Sequence, residues 1–333
     1  MSTRQPSAPL ISLASLTITG AIAFGTAACC TCTKSPQGPP PNVKRQFFYS
    51  AGAFAVGGTL TDIQGHGAPS EPLLVQAATL LPPAGGKGVG RIENGFRYGA
   101  VDTPEAKWVI VIDSAETSVT GQQVDGCYVT TATSKIDGLN VLGRLKAKQI
   151  ETTLVTRRCL EDGRGARFRT LSADFTGLTI DAVEIKPVRM ASFGEELSAS
   201  ELIAKPTTDR GPLFDVAGAP DAIESALARR PAEQEVRALL GDRLLLASIV
   251  APVSQDKTLL ARLTDANPYP KEGRPEFVPG NGIHIPNFGK VYFGRALITG
   301  SKHETIMLHL DLGSPVKGPI DIGGDFGNGF PYP

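Results

Sequence analysis

Seven residues near the end of the chain, Ile306-Met-Leu-His-Leu-Asp-Leu312, alternate between two kinds of side chain. The even positions are all aliphatic, whereas the odd positions are Met307, His309 and Asp311. A period of two, with one core face and one solvated face, predicts a strand of an antiparallel sheet. Val291–Ile298 is a second strand-like run, and Gly300-Ser-Lys-His303 separates the two, so we expect a hairpin.

Other segments are also rich in β-branched and apolar residues between turn-forming residues. They are Trp108–Ile112, Tyr128–Thr133, Ile150–Thr156, Phe168–Asp174 and Leu178–Ile180. The chain has 37 glycines and 26 prolines in 333 residues, which favours many turns and short strands. The predicted fold class is therefore all-β, a mostly antiparallel sandwich or barrel-like domain, and the pattern leaves the choice between these two open.

Helical patterns are confined to the middle of the chain. Residues 221–230 and 232–240 are helix-like and are divided by Pro231, and a shorter helix is predicted within 195–204. About 50 residues bury little core alone. We therefore interpret residues 194–245 as a helical insertion in a single β-rich domain spanning residues 47–333.

Residues 1–46 differ from the rest and are interpreted as a leader and tether. Pro9–Ala28 is apolar but diluted by hydroxyl residues and glycines, which is typical of a signal-peptide core rather than a permanent membrane span. Thr26-Ala-Ala28 precedes Cys29 and resembles a bacterial lipoprotein cleavage site, in which the cysteine is lipidated. Pro36-Gln-Gly-Pro-Pro-Pro41 then predicts a stiff extended tether. We expect export to the cell envelope, with a tail on a cytoplasmic protein as the alternative.

The five cysteines fall into two groups. Cys29, Cys30 and Cys32 lie in the leader, without the second ligand pair that a zinc finger requires. Cys127 and Cys159 lie beside predicted strands, where they form a disulfide if the protein is exported and remain two thiols if it is cytoplasmic.

Charge and motifs exclude several function classes. Basic and acidic residues balance at 33 each, so nothing in the overall charge predicts a nucleic-acid partner. Gly85-Gly-Lys-Gly-Val-Gly90 lacks the Ser or Thr that follows the lysine in a phosphate-binding loop, and we interpret it as a flexible turn. Neither a Gly-x-Ser-x-Gly elbow nor a His-Glu-x-x-His motif occurs. No catalytic residue, metal ligand or cofactor is therefore assigned.

Three weaker clusters remain as alternatives to plain surface. His309 and Asp311 share one strand face, and with His303 or His284 they could form a metal site or an acid–base site. Asp321, Asp325 and Asn328 lie in what is interpreted as a glycine-rich loop without calcium-binding spacing. A basic run consists of Arg157, Arg158, Arg164, Arg167 and Arg169. It is interpreted as a solvated strand end or as a contact for an acidic glycan or a phosphate group.

The chain also resembles a family of uncharacterised bacterial proteins from Tyr49 to its end. The resemblance lies in Ser50–Gly58, Val75–Pro83, Gly90–Asn94, Ile136–Gly143, Leu145–Glu151, Phe168–Gly177, Ile283–Val291, Met307–Ser314 and Gly327–Gly329. The order of elements is more distantly similar to the choice-of-anchor P family of exported bacterial proteins. These resemblances imply a β-rich domain and, for the second family, export, but neither supplies a catalytic motif.

Three functional hypotheses follow from the sequence. The first is a non-enzymatic envelope or surface protein with a structural or binding role, whose partner is a protein or a glycan. The second is a hydrolase or metal-dependent enzyme that uses His303, His309 and Asp311. The third is a cytoplasmic module that assembles with itself or a partner through exposed strand edges.

Overall fold

A computed structural model describes residues 46–61, 71–160, 165–215, 245–299 and 303–332, which all belong to one unit, Lys44–Pro333. The leader, the tether with Cys29, and the helices predicted at 221–230 and 232–240 lie outside the described residues. The division into a leader and a single domain at residue 47 therefore stays a prediction.

Within the described residues, the first sheet has ten strands, numbered here along the chain. They are β1 (Gln46–Leu60), β2 (Glu71–Gln76), β3 (Thr79–Leu80), β14 (Phe214–Asp215), β15 (Leu245–Ser248), β16 (Glu276–Val278), β17 (Gly282–Ile285), β18 (Gly289–Ile298), β19 (His303–Leu312) and β20 (Gly318–Tyr332). Their main order is β14-β15-β18-β19-β20-β1-β2, so the last strand pairs antiparallel with the first along most of its length. The predicted β18–β19 hairpin is confirmed.

The second sheet also has ten strands in the part of the chain that the structure describes. They are β4 (Gly86–Ile92), β5 (Phe96–Ala100), β6 (Trp108–Ile112), β7 (Ser114–Val124), β8 (Cys127–Val141), β9 (Leu145–Cys159), β10 (Arg167–Thr176), β11 (Thr179–Ile180), β12 (Val183–Glu184) and β13 (Leu197–Ser198). The long β8 and β9 form its centre, and a tight turn at Leu142 and Gly143 joins them, both at positive φ. Asn140 stabilises this turn because its side-chain oxygen accepts a hydrogen bond from the Gly143 amide at 2.9 Å.

The two sheets pack face to face, with β1 and β20 against β7, β8 and β9. The all-β prediction is confirmed, and the arrangement is a sandwich rather than a barrel. The described helices are short: α1 (Ala199–Ala204), α2 (Thr207–Arg210) and α3 (Leu259–Ala266). Ser198 caps α1 by accepting from the Glu201 amide. The expectation that helix is confined to 194–245 is wrong for α3, which follows that region.

At one level of the first sheet, the face on which the strands bury their side chains changes to the opposite parity of residue numbers. On β1 the consecutive residues Ala55 and Val56 are both fully buried, as are Met307 and Leu308 on β19. At the same level, β18 and β20 carry Gly294 and Gly323, whose φ values are 58° and 65°. Such angles favour glycine and let two neighbouring residues turn to the same side without a change of register. Odd residues of β19 are thus buried up to Met307, and even residues from Leu308 onward.

This reversal corrects one expectation about β19. The alternation predicts Met307 on the solvated face with His309 and Asp311, but Met307 is 0% exposed. His309 and Asp311 are partly exposed, as expected. The alternation predicted the strand correctly. It predicts the wrong face of the sheet for Met307, because the glycines of the neighbouring strands turn the backbone at this level.

An ion pair fixes the end of the sandwich at the β8–β9 turn. Arg144 and Asp181 form two hydrogen bonds of 2.7 Å, and both side chains are 4% exposed. Arg144 also donates to the carbonyl oxygens of Pro286 and Asn287. These bonds join turns of both sheets, and a buried charge held this way is costly to leave unpaired.

Candidate functional site: a histidine cluster and a polar groove

The outer face of the first sheet holds His309 between two carboxylates. Its Nδ1 lies 2.6 Å from Asp321 Oδ1, and its Nε2 lies 3.2 Å from Asp311 Oδ1. The pairing of β19 with β20 sets His309 directly opposite Asp321. The structure therefore brings together His309 and Asp311, as the sequence predicts, and adds Asp321, for which the sequence predicts a loop.

The charge state of His309 reflects a balance of opposing effects. Burial opposes protonation, but hydrogen bonds to Asp311 and Asp321 outweigh it, so the pKa of His309 is raised above its usual value. The bond to His309 lowers the pKa of Asp311 in turn. The cluster thus favours the imidazolium form of His309 more than water does.

Two further side chains border this histidine cluster. The Arg295 guanidinium lies 4.8 Å from the centre of the Tyr292 ring, and the ring centres of Tyr292 and His309 are 5.6 Å apart. Burial lowers the pKa of Arg295 and raises that of Tyr292. Since both ring nitrogens of His309 are bonded to carboxylates, the arrangement is suited to holding a proton rather than to ligating a metal.

The other two candidate histidines do not join this cluster, which corrects the expected trio. His303 lies on the buried side of β19, is 3% exposed and stacks on Phe168 with ring centres 3.8 Å apart. Burial lowers its pKa to about 3. His284 lies on β17, with its Nδ1 3.5 Å from Glu276 Oε1. Among the described residues, no group of three or more His, Cys, Asp or Glu side chains is arranged to hold a metal ion.

The predicted glycine-rich loop at the carboxyl terminus is instead part of β20. Asp321 points outward to His309, whereas Asp325 lies beyond the reversal at Gly323 and is 0% exposed. The two carboxylates therefore lie on opposite sides of the sheet and cannot share a cation.

Gly85–Gly90 is also a strand rather than the flexible turn that we expected. Most of it forms β4, at the edge of the second sheet, paired with β7. A Cβ on Gly88 would lie 2.5 Å from the Thr79 hydroxyl, and one on Gly90 would lie 2.7 Å from the Ala77 carbonyl oxygen. The alternating glycines therefore let the link between the two sheets lie close against β4.

A polar groove of about 540 Å³ lies on the outer face of the second sheet. Its lining residues come from β4 and the residue that follows it and from β7, β8 and β9, and they include two cations and four carboxylates: Arg91, Lys135, Glu93, Glu116, Asp137 and Glu151. One cross-strand row alternates in charge, as Arg91, Glu116, Lys135 and Glu151 are successive partners. A neighbouring row supplies hydroxyls, among them Thr133, whose Oγ1 lies 3.2 Å from that of Thr153.

Most arginines of the basic run contact other residues of the same protein. Arg158 donates to the carbonyl oxygen of Gly329 at 2.8 Å, and Arg157 lies 3.4 Å from the sulfur of Cys127. Arg167 is paired with Glu196 and Glu201. Arg164 lies outside the described residues. These contacts favour the interpretation of the basic run as a strand end whose arginines bind neighbouring residues.

Cys127 and Cys159 form a disulfide in the structure. They are direct partners across β8 and β9, with Cα atoms 4.2 Å apart. Close by, Tyr128 stacks on Phe47 near the start of β1, with ring centres 4.1 Å apart. The bond therefore lies at the end of the sandwich where the described chain begins.

A family model described as a domain of unknown function (DUF8256) matches residues 47–299. The chain belongs to the DUF8256 family. Comparison with curated proteins and with solved structures gives no match. The match confirms the coarse prediction of an uncharacterised family over most of the chain, whereas the relation to the choice-of-anchor P family stays a prediction. In the part of the DUF8256 chain that the structure describes, no helix is long and apolar enough to cross a bilayer.

Sequence reasoning missed the carboxylate partner Asp321 and the buried pair Arg144–Asp181. Both depend on strand register and on turns that are far apart in the chain. The signal that could have found Asp321 is the pair of long alternating segments that end the chain, because two adjacent antiparallel strands place polar residues opposite each other.

Proposed function

We propose that this DUF8256 protein is an exported, envelope-associated β-sandwich that binds a partner rather than transforming a substrate. The observation that carries the exported location is the cross-strand disulfide Cys127–Cys159. Disulfides persist mainly in oxidising compartments and are rare in the cytoplasm. The leader pattern before Cys29 and the proline-rich tether support the same location.

Cell fractionation of the native protein tests the location. The proposal expects membrane association, a lipid-modified Cys29 as the first residue by mass spectrometry, and no free thiol at Cys127 or Cys159 before reduction. The variant Cys29→Ser should release the protein from the membrane, while Cys30→Ser, the matched control, should not. An intact amino terminus with reduced Cys127 and Cys159 in the soluble cytoplasmic fraction would reject export.

The polar groove of the second sheet is the proposed binding face. Its four carboxylates exceed its two cations, and hydroxyls border them. Asp137 accepts from the neutral groups of Gln149 and Ser114, so these bonds leave its negative charge in place. A glycan that offers both hydroxyl and amino groups would match this surface, whereas a protein partner is the alternative result.

Titration calorimetry with chito-oligosaccharides tests this face. The deacetylated oligomer carries amines and should bind, and its fully acetylated counterpart should bind at least tenfold more weakly. Glu151→Gln should reduce binding of the deacetylated form, and the exposed Asp174→Asn on β10, across from Glu151, should reduce it less. Equal or absent binding of both oligomers would reject this ligand class and favour a protein partner.

The histidine cluster supports a second candidate function, acid–base chemistry in a hydrolase. His309 flanked by Asp311 and Asp321 is the specific observation in its favour. Turnover of activated esters that disappears in His309→Gln but persists in His284→Gln would support this function. Turnover that is equal in both variants and wild type, or absent in all, would reject it.

A further inference from the structure

The interior between the two sheets contains a carboxyl group with unusual surroundings. Asp325 of β20 is 0% exposed, and neither of its oxygens has a hydrogen-bond partner among the described residues. An ionised carboxylate in such a position would be very costly, because burial of an unpaired charge removes its hydration without replacement.

The groups around Asp325 provide no compensating charge. Thr305 of β19 and Ala53 of β1 are the direct strand partners of Asp325, and the buried polar side chains of β19, β9 and β8 include His303, Thr152, Thr156, Thr130 and Ser134. Among these only His303 titrates, and its buried ring is neutral at physiological pH because its pKa is lowered to about 3. The strand neighbours of Asp325 therefore favour an uncharged acid.

We propose that Asp325 is a neutral carboxylic acid in the folded protein and that its proton is required for the close packing of β20 of the first sheet against β9 of the second sheet. Loss of the proton at alkaline pH would leave a bare charge between β20 and β9 and would loosen the contact between the sheets. The fold then contains a built-in response to alkaline conditions, which does not depend on the proposed binding function.

The electrostatics agree with this geometry. Burial raises the pKa of Asp325 well above its usual value, and the Thr152 hydroxyl, which approaches the carboxyl group without hydrogen-bond geometry, offsets only part of the rise. A raised acid pKa means that the native state holds a proton that the unfolded state has released. Stability from this group is therefore greatest below the unfolded value near 4 and falls as pH rises toward the folded value.

The test compares Asp325→Asn with wild type in the full chain, by denaturant unfolding at successive pH values. Asparagine has the shape of the neutral acid but cannot ionise. The folding constant of wild type should fall about tenfold per pH unit relative to that of the variant, until Asp325 ionises. The exposed carboxyl of Asp174 is the control, and Asp174→Asn should show no such divergence.

Two measurements keep the proposal falsifiable if the variant folds poorly. Infrared spectra of wild type at neutral pH should contain the carbonyl band of a buried protonated acid that disappears at high pH. Hydrogen exchange in β9 and β20 should accelerate over the same pH range. A constant ratio of the two folding constants across pH, or a neutral-pH spectrum without the acid band, would overturn the proposal.

Discussion

His303 and His309 lie on the same strand, yet they have opposite properties. His303 is buried, neutral and stacked on Phe168, and neither ring nitrogen has a hydrogen-bond partner among the described residues. His309 lies on the outer face with a carboxylate at each ring nitrogen, and its raised pKa favours the protonated form. The difference shows that the environment, and not the residue type, decides whether a histidine responds to physiological pH.

The reversal at Gly294 and Gly323 defines where each histidine lies. On a strand with strict alternation, His303 and His309 would share one face, because their numbers have the same parity. The glycine angles at the level of Met307 change the buried side between the two histidines. One sheet thus provides an internal polar site and an external one from the same sequence pattern.

Removing the imidazole of His303 should produce the largest effect, on the acid side. Because its folded pKa is about 3 and its unfolded value is near 6.5, stability falls as pH drops through that range. At pH 4 the loss amounts to about 3 kcal/mol, at 1.36 kcal/mol per unit. His303→Phe should abolish it and keep the aromatic contact with Phe168.

Asp325 has the opposite dependence above pH 4, so the comparison is best made in the Asp325→Asn background. In urea unfolding, Asp325→Asn should lose stability as the pH is lowered below about 6.5. The double variant Asp325→Asn with His303→Phe should not show this loss. An equal loss of stability in both variants would mean that His303 is hydrated in the native state. His303 would then not be a buried neutral histidine, and it would no longer contrast with His309 in this respect.

Disrupting the reversal should have the next largest effect. Gly323→Val places a β-branched residue at a φ of 65°, and its Cβ would lie 3.2 Å from the Met307 Cβ. Strain and crowding together should cost about 2–3 kcal/mol in denaturant unfolding. Gly126→Ala, at a similar φ but with no atom within 4 Å of the added Cβ, should cost only about 1 kcal/mol. Equal losses would show that backbone strain alone acts at Gly323.

The sequence predicted the strands well and the site only in part. The alternation at Ile306–Leu312 and the run at Trp108–Ile112 were sufficient because strand signals are local. The position of Met307 and the separation of Asp321 from Asp325 depend on positive φ at particular glycines, and composition does not reveal which glycines adopt it. His309 and Asp311 were found since they are close in sequence, whereas Asp321 required the register of β19 with β20.

The smallest effect concerns the outer histidine. The raised pKa of His309 means that its contribution is fully present below its unfolded value near 6.5 and is lost as pH rises through the folded value. His309→Gln should therefore cost about 1.5–2 kcal/mol at pH 6, the lower end of the range for hydrogen bonds to charged groups, and much less at pH 9. The measurement again requires the Asp325→Asn background, because Asp325 also weakens the wild-type fold on the alkaline side. Asp311→Asn should reproduce part of the loss at pH 6. A loss independent of pH would mean that His309 is neutral in the cluster, and the contrast with His303 would then be one of position alone.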